Sequence, residues 1–191
     1  MSMDPSIAEP ERRRRVLDAA LETFWRYGFR KTSMDEVARV ADISRQGLYF
    51  YFGNKEDLFR ETMRKSMEDA LAAVSMRLAD TDAPIQDRLV GAMDEWYGRH
   101  VGQLSGDASD LMERSGALLG SMLTDYTATV RVKFEEAIAA SPLADTLSTL
   151  GLTPADIVQT LQGCGAGWKH MPITRAEFVR RMTVAVRLIC R

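Results

Sequence analysis

A chain of 191 residues with 46% hydrophobic content holds enough apolar material for a packed core, either as one domain or as a small head on a larger body. Its formal charge of −2 excludes a polyelectrolyte, no apolar run approaches the length of a membrane span, and the polar, charged N-terminus lacks the apolar segment of a signal peptide. Two cysteines, Cys164 and Cys190, are too few for a disulfide framework and stand at no metal-ligand spacing to the two histidines. The expected setting is therefore a reducing cytoplasm, with no metal and no cofactor.

Residues 1–8, with Asp4-Pro5 and little apolar content, read as a mobile arm, and structure is expected from Pro10, a good first-turn residue. Val16, Leu17, Ala20, Leu21 and Phe24 then recur at helical spacing up to Gly28, which suits a left-handed helix end. Ser33 and Glu36 have the spacing of a capping box for a short second helix, on which Val37, Ala38 and Ala41 face inward. Asp42 and Ile43 make a turn, and Ser44 caps a third helix held to the core by Leu48 and Phe52.

Two short helices joined by a tight turn form a helix-turn-helix, and the opening residues of the second have base-reading chemistry. Arg45 can bond a guanine edge bidentately and Gln46 an adenine edge, while Gly47 leaves the backbone free to approach the groove. Four consecutive aromatics, Tyr49 to Phe52, cannot all face one core, so Phe50 and at least one Tyr must point outward; Phe50 could touch a thymine methyl. Thr32, Ser33, Ser44, Tyr49, Tyr51 and Lys55 complete the DNA-facing candidates, Lys55 lying in the first turn of a fourth helix whose free amides favour a phosphate. Residues 1–65 carry 13 Lys/Arg against 11 Asp/Glu and the remainder 12 against 16, a modest asymmetry of the matching sign. The run Arg12–Arg15 wraps its helix and reads equally as a solvated face or a phosphate contact.

Thr32, Val37-Ala38, Ala41-Asp42-Ile43-Ser44, Leu48-Tyr49-Phe50-Tyr51-Phe52 and Lys55 together resemble the pattern of the TetR family of transcriptional regulators. The pattern departs at Asp42, where the family usually has Gly, and at Gln46-Gly47, which replaces Gly followed by Thr or Ser. The resemblance implies an all-α fold, with an N-terminal three-helix DNA-binding domain over residues 1–54 and a C-terminal helical effector-binding and dimerisation domain over 55–191.

Along the rest of the chain Asn54 caps the fourth helix, striped by Phe59, Met63, Met67, Ala70, Val74 and Leu78, and the head–body boundary falls within it. After a linker at 80–83, Pro84 opens a helix striped by Ile85, Leu89, Met93, Trp96 and His100, ending in the stretch 102–106. Leu111, Ser115, Leu118 and Met122 mark a further helix, and Leu123, Tyr126, Val130, Phe134 and Ile138 another before Ser141-Pro142. Thr153-Pro154 starts the penultimate helix and Met171-Pro172 stops it. Thr174 and Glu177 have capping-box spacing for the last, whose apolar side carries Phe178, Met182, Ala185 and Ile189. About nine helices and no strand are expected, since no stretch alternates with period two, and there is no internal repeat.

In the resembling family the last two helices dimerise and the middle ones hold an effector. Gly163, Gly165, Ala166 and Gly167 allow close backbone approach beside the anchor Trp168, so Gly163, Gly167, Trp168, Phe178 and Met182 are the interface candidates. Met63, Met67, Met93, Trp96, His100, Met112, Met122 and Tyr126 fall on the middle helices; methionine suits varied apolar ligands, and ordinary core packing predicts the same residues. The implied function is a homodimeric regulator, most often a repressor, released from a palindromic operator by a small apolar or aromatic effector. An all-α protein-interaction adaptor and a ligand-independent DNA-binding dimer are the alternatives. No His-Glu-x-x-His, Gly-rich phosphate loop or nucleophile elbow is present, so an enzyme is not expected.

Overall fold

The computed structural model describes residues 5–102 and 116–190, and side chains from Glu9 onward. Its elements are α1 (Pro5–Lys31), α2 (Met34–Val40), α3 (Arg45–Tyr51), α4 (Lys55–Ala79), α5 (Ile85–Trp96), a 3-10 turn (Gly98–His100), α6 (Met122–Ala139), α7 (Leu143–Thr149), α8 (Pro154–Trp168) and α9 (Arg175–Ile189). Residues 116–119 are also helical, and no strand occurs among the described residues. The fold is all-α, with an N-terminal helix-turn-helix and a C-terminal helical domain. Among the described residues no helix is long and apolar enough to cross a membrane.

Packing divides the chain inside α4. Residues up to Met67 form one compact unit together with the described residues 116–122, and Glu68–Gly102 with the residues from Leu123 form the other.

In the first unit α1 begins at Pro5, not at Pro10, which lies inside the helix. Pro5 takes the opening position, where a missing amide hydrogen costs nothing. At Gly28 the backbone leaves the helical region (φ 79°, ψ 170°), a conformation open to glycine, and a short stretch runs on to Lys31. The break turns Phe29 inward, where Phe24, Phe29 and Phe59 pack with ring centroids 5.1 to 6.0 Å apart. Val37, Ala38, Leu48, Phe52 and Leu58 close this core, all at most 3% exposed, whereas Ala41 is only half-buried.

The turn between α2 and α3 is a Schellman motif. The Ile43 amide donates to the Ala38 carbonyl at 3.0 Å and the Asp42 amide to the Arg39 carbonyl at 3.3 Å, with Asp42 left-handed at φ 53°. A short polar side chain tolerates that region better than most, so the absent glycine does not alter the turn. Ser33 accepts from the Glu36 amide at 3.2 Å and Ser44 from the Gly47 amide at 3.0 Å. The Ser33 cap is thus one-sided, since no bond returns from the Glu36 carboxylate.

In the second unit α5 and α9 bring Leu89, Met93, Phe178, Met182 and Val186 together, with Val130, Phe134 and Ile138 from α6, Leu147 from α7, and Ile157, Val158 and Leu161 from α8. Tyr97 lies so close to Gly165 that a Cβ there would sit 2.5 Å from its ring. The small residue on α8 therefore serves a contact within this unit. α5 stops at Trp96, so His100 lies in the 3-10 turn and not on the helical stripe. α7 is an additional short helix directly after Pro142. At α8, Thr153 and Asp156 make a two-way capping box; at α9, Thr174 accepts from the Glu177 amide at 3.1 Å, but the Glu177 carboxylate pairs with Arg180 and Arg181 instead. Leu111, Met112 and Ser115 lie outside the described residues.

Candidate nucleic-acid interface

Helix α3 divides cleanly by side-chain character. Leu48 and Phe52 are buried, while Arg45, Gln46, Tyr49 and Phe50, at helical offsets of zero, one, four and five, share an exposed face. Phe50 is 81% exposed and Tyr49 42%. A phenylalanine ring so open to water in a short helix is not explained by the core beneath it. Gly47 is half-buried, and a Cβ there would press on the Ser44 cap oxygen at 3.2 Å.

Arg45 is held from both sides. Its Nε lies 3.0 Å and its Nη1 3.2 Å from the two carboxylate oxygens of Asp35 on α2, and its guanidinium carbon stands 5.6 Å from the Tyr49 ring centroid. Ser33, Ser44 and Gln46 are exposed on the same two helices. Tyr51 is half-buried, and burial, followed by a hydrogen bond with Glu9, raises its phenol pKa.

Two expected phosphate contacts have other work. Thr32 is 2% exposed and its hydroxyl donates to the Gly28 carbonyl at 2.7 Å and the Thr23 carbonyl at 3.4 Å, so it secures the break in α1 and does not face outward. The Lys55 ammonium donates to the carbonyls of Phe29 and Thr32, each at 3.0 Å, and of Arg30 at 3.5 Å, above the Phe29 ring. It thereby caps the negative end of α1 from the first turn of α4. The arginine run is likewise not one surface: Arg13 pairs with Glu61 at 2.9 Å and lies 5.1 Å over the Phe52 ring.

In the body, Met93 is fully buried and Trp96 is 8% exposed, both within the core. Met67 is buried, and Met63, Met122, Tyr126 and His100 are half-buried. Met63, Met67 and Met122 belong to the first unit and the other four to the second. Neither the cavity of about 340 Å3 on α6 at Leu123 and Thr127 nor that of about 500 Å3 between Pro84, Arg88, Pro142 and Cys190 is lined by any of the seven. His100 titrates near 4, pushed down by burial and then by Arg99, Lys169 and Arg175. The imidazole is therefore neutral at ordinary pH.

Of the interface candidates, Phe178 and Met182 are buried completely within their own chain, which removes them from any surface. Trp168 is half-buried and meets Phe178 edge-on at 6.3 Å. Gly163 and Gly167 are exposed, with open space where a Cβ would stand. Sequence reasoning missed Val184 and Leu188, 49% and 61% exposed and four apart on α9, because the stronger apolar stripe lies on the opposite, buried face.

Comparison with known proteins places this geometry. Residues 16–62 match the family model for bacterial regulatory proteins of the tetR family. The chain is 38% identical over 61 residues to the uncharacterized HTH-type transcriptional regulator YhgD of Bacillus subtilis, covering 30% of this chain and 32% of that one. With the HTH-type transcriptional regulator BetI of Agrobacterium fabrum it shares 39% over 61 residues, 32% of this chain and 30% of the other. The chain thus spans about a third of the length of these curated relatives. A TetR-like transcriptional regulator from Rhodococcus sp. RHA1 has the same fold, with a TM-score of 0.62 at 22% identity over 92% of this chain and 93% of that one.

Proposed function

We propose that the head of this chain, residues 16–62 of which match the family model for bacterial regulatory proteins of the tetR family, is a DNA-binding domain of that kind and that the protein is a DNA-binding transcriptional regulator. It acts as a cytoplasmic homodimer on a palindromic operator, most simply as a repressor released by a small apolar or aromatic effector. Residues 1–54 read DNA, and 55–191 dimerise and receive the effector. The exposed face of α3 carries this reading: Arg45, Gln46, Tyr49 and Phe50 combine planar donors with an amide and two aromatic faces, a set suited to base edges and thymine methyls. Ser33, Ser44, Tyr49 and Tyr51 supply phosphate contacts around it.

The dimer forms on α8 and α9 through Gly163, Gly167, Trp168, Val184 and Leu188. The support is an open, small-residue surface on α8 and two exposed aliphatics one turn apart on α9. The effector enters the body among Met93, Trp96, Tyr126 and His100, all of the second unit. The adaptable methionine among them supports that reading.

Selection from a random duplex pool tests the function. A palindrome should emerge with half-site centres about one helical turn, roughly 34 Å, or a multiple apart. Recovery of no preferred sequence would leave the adaptor reading standing. Gly167→Leu should give a monomer in sedimentation, together with loss of operator affinity.

A further inference from the structure

We propose that Asp35 is a positioning residue that aims the Arg45 guanidinium at a guanine edge, an inference that rests on the head being a reader of DNA. Asp35 Oδ2 accepts a hydrogen bond from Arg45 Nη1 at 3.2 Å, Asp35 Oδ1 lies 3.0 Å from Arg45 Nε in the same ion pair, and the Tyr49 ring lies 5.6 Å from the same guanidinium. With one hydrogen of Nη1 engaged by Asp35, Nη2 and the second hydrogen of Nη1 remain to face a base. A flexible arginine is thereby restrained in direction before it meets its target, which reduces the rotamer freedom lost on binding.

Stability does not account for the pair. Both side chains are more than half exposed, at 65% and 60%, and an ion pair in water adds little to folding. Asp35 also sits in the first turn of α2, where a carboxylate suits the helix dipole, but that role needs no contact with Arg45. On a surface that meets phosphates, moreover, its negative charge opposes binding to any duplex. Asp35 therefore acts in two opposite directions: it lowers affinity for DNA in general and raises discrimination at the base pair that Arg45 reads. A residue serving only the helix would not separate these effects.

Asp35→Asn, which keeps the shape and removes the charge, separates them. Binding to the selected operator and its single-base variants is measured at fixed salt beside binding to a random duplex. The expected result is a several-fold gain in random-duplex affinity together with about a tenfold loss of discrimination at one base pair. Arg45→Ala should lose discrimination at that same pair, and the double variant should lose no more than Arg45→Ala alone. Unchanged discrimination in Asp35→Asn overturns the proposal, as does an equal loss at every position, which marks a helix role only. A wild-type protein without sequence preference instead overturns the DNA-reading function itself, so the two failures are distinct.

Discussion

The head and the body treat their large apolar residues in opposite ways. On α3 the ring of Phe50 stands 81% exposed beside buried Leu48, while on α5 and α9 Met93, Phe178 and Met182 are all buried without remainder. In the head, function is visible as residues the core does not use. In the body, apolar type and helical spacing describe the core and any partner surface alike, so identity alone cannot separate the two.

The largest expected break in that contrast is Phe178→Ala. It removes a fully buried ring from the second unit's core and should lower unfolding stability by about 3–5 kcal/mol in denaturant titration. A loss below about 1 kcal/mol would mean that α9 is held from elsewhere.

Acid comes next and acts on the body through His100. Its folded value of about 4 lies below the ordinary 6.5, held down by burial and by Arg99, Lys169 and Arg175. Between those values the unfolded chain carries a proton that the folded chain does not. Stability is therefore complete above about pH 6.5 and falls as pH drops toward 4, by at most about 3 kcal/mol. Thermal unfolding across that window should show the slope, and His100→Gln should reduce it while leaving the parts due to His170 and the Glu95 carboxylate, whose pKa values are also lowered.

Within the head, Lys55→Met should cost about 1–3 kcal/mol, because the carbonyls of Phe29 and Thr32 lose a charged donor. Equal stability combined with uniformly weaker DNA binding would return Lys55 to a phosphate role. The smallest expected change in stability is at Phe50→Ala, within about 0.5 kcal/mol on an exposed position. Operator affinity should nevertheless fall in a gel-shift or anisotropy titration. Unaltered affinity would remove Phe50 from the interface and leave its exposure without a role.

Much of the head is legible in the amino-acid sequence. Val37, Ala38, Leu48 and Phe52 follow the helical period, and Ser33, Ser44 and Asn54 cap where their side chains reach the amide three residues onward. Phe50 is legible by elimination, since four adjacent aromatics on a helix cannot share one face. The destinations of long polar side chains are not. Thr32 and Lys55 match a phosphate-facing pattern, yet each closes on carbonyls 4 to 26 residues away at the end of α1. In the body, the short helix α7 escapes a reading by periodicity, because seven residues after Pro142 carry little periodic signal.

Local order determined by sequence alone comprises the longer helices, the caps at Ser33, Ser44 and Asn54 and the tight turn at Asp42, because each depends on neighbours within one or two turns. Tertiary structure alone decided that Phe178 and Met182 point inward while Val184 and Leu188 point out. It also decided that Gly165 and not Gly163 takes the close approach of Tyr97, and that Asp35 reaches across to Arg45. A helix exposes a face only relative to what packs on it, and that packing is settled by residues far away in the chain.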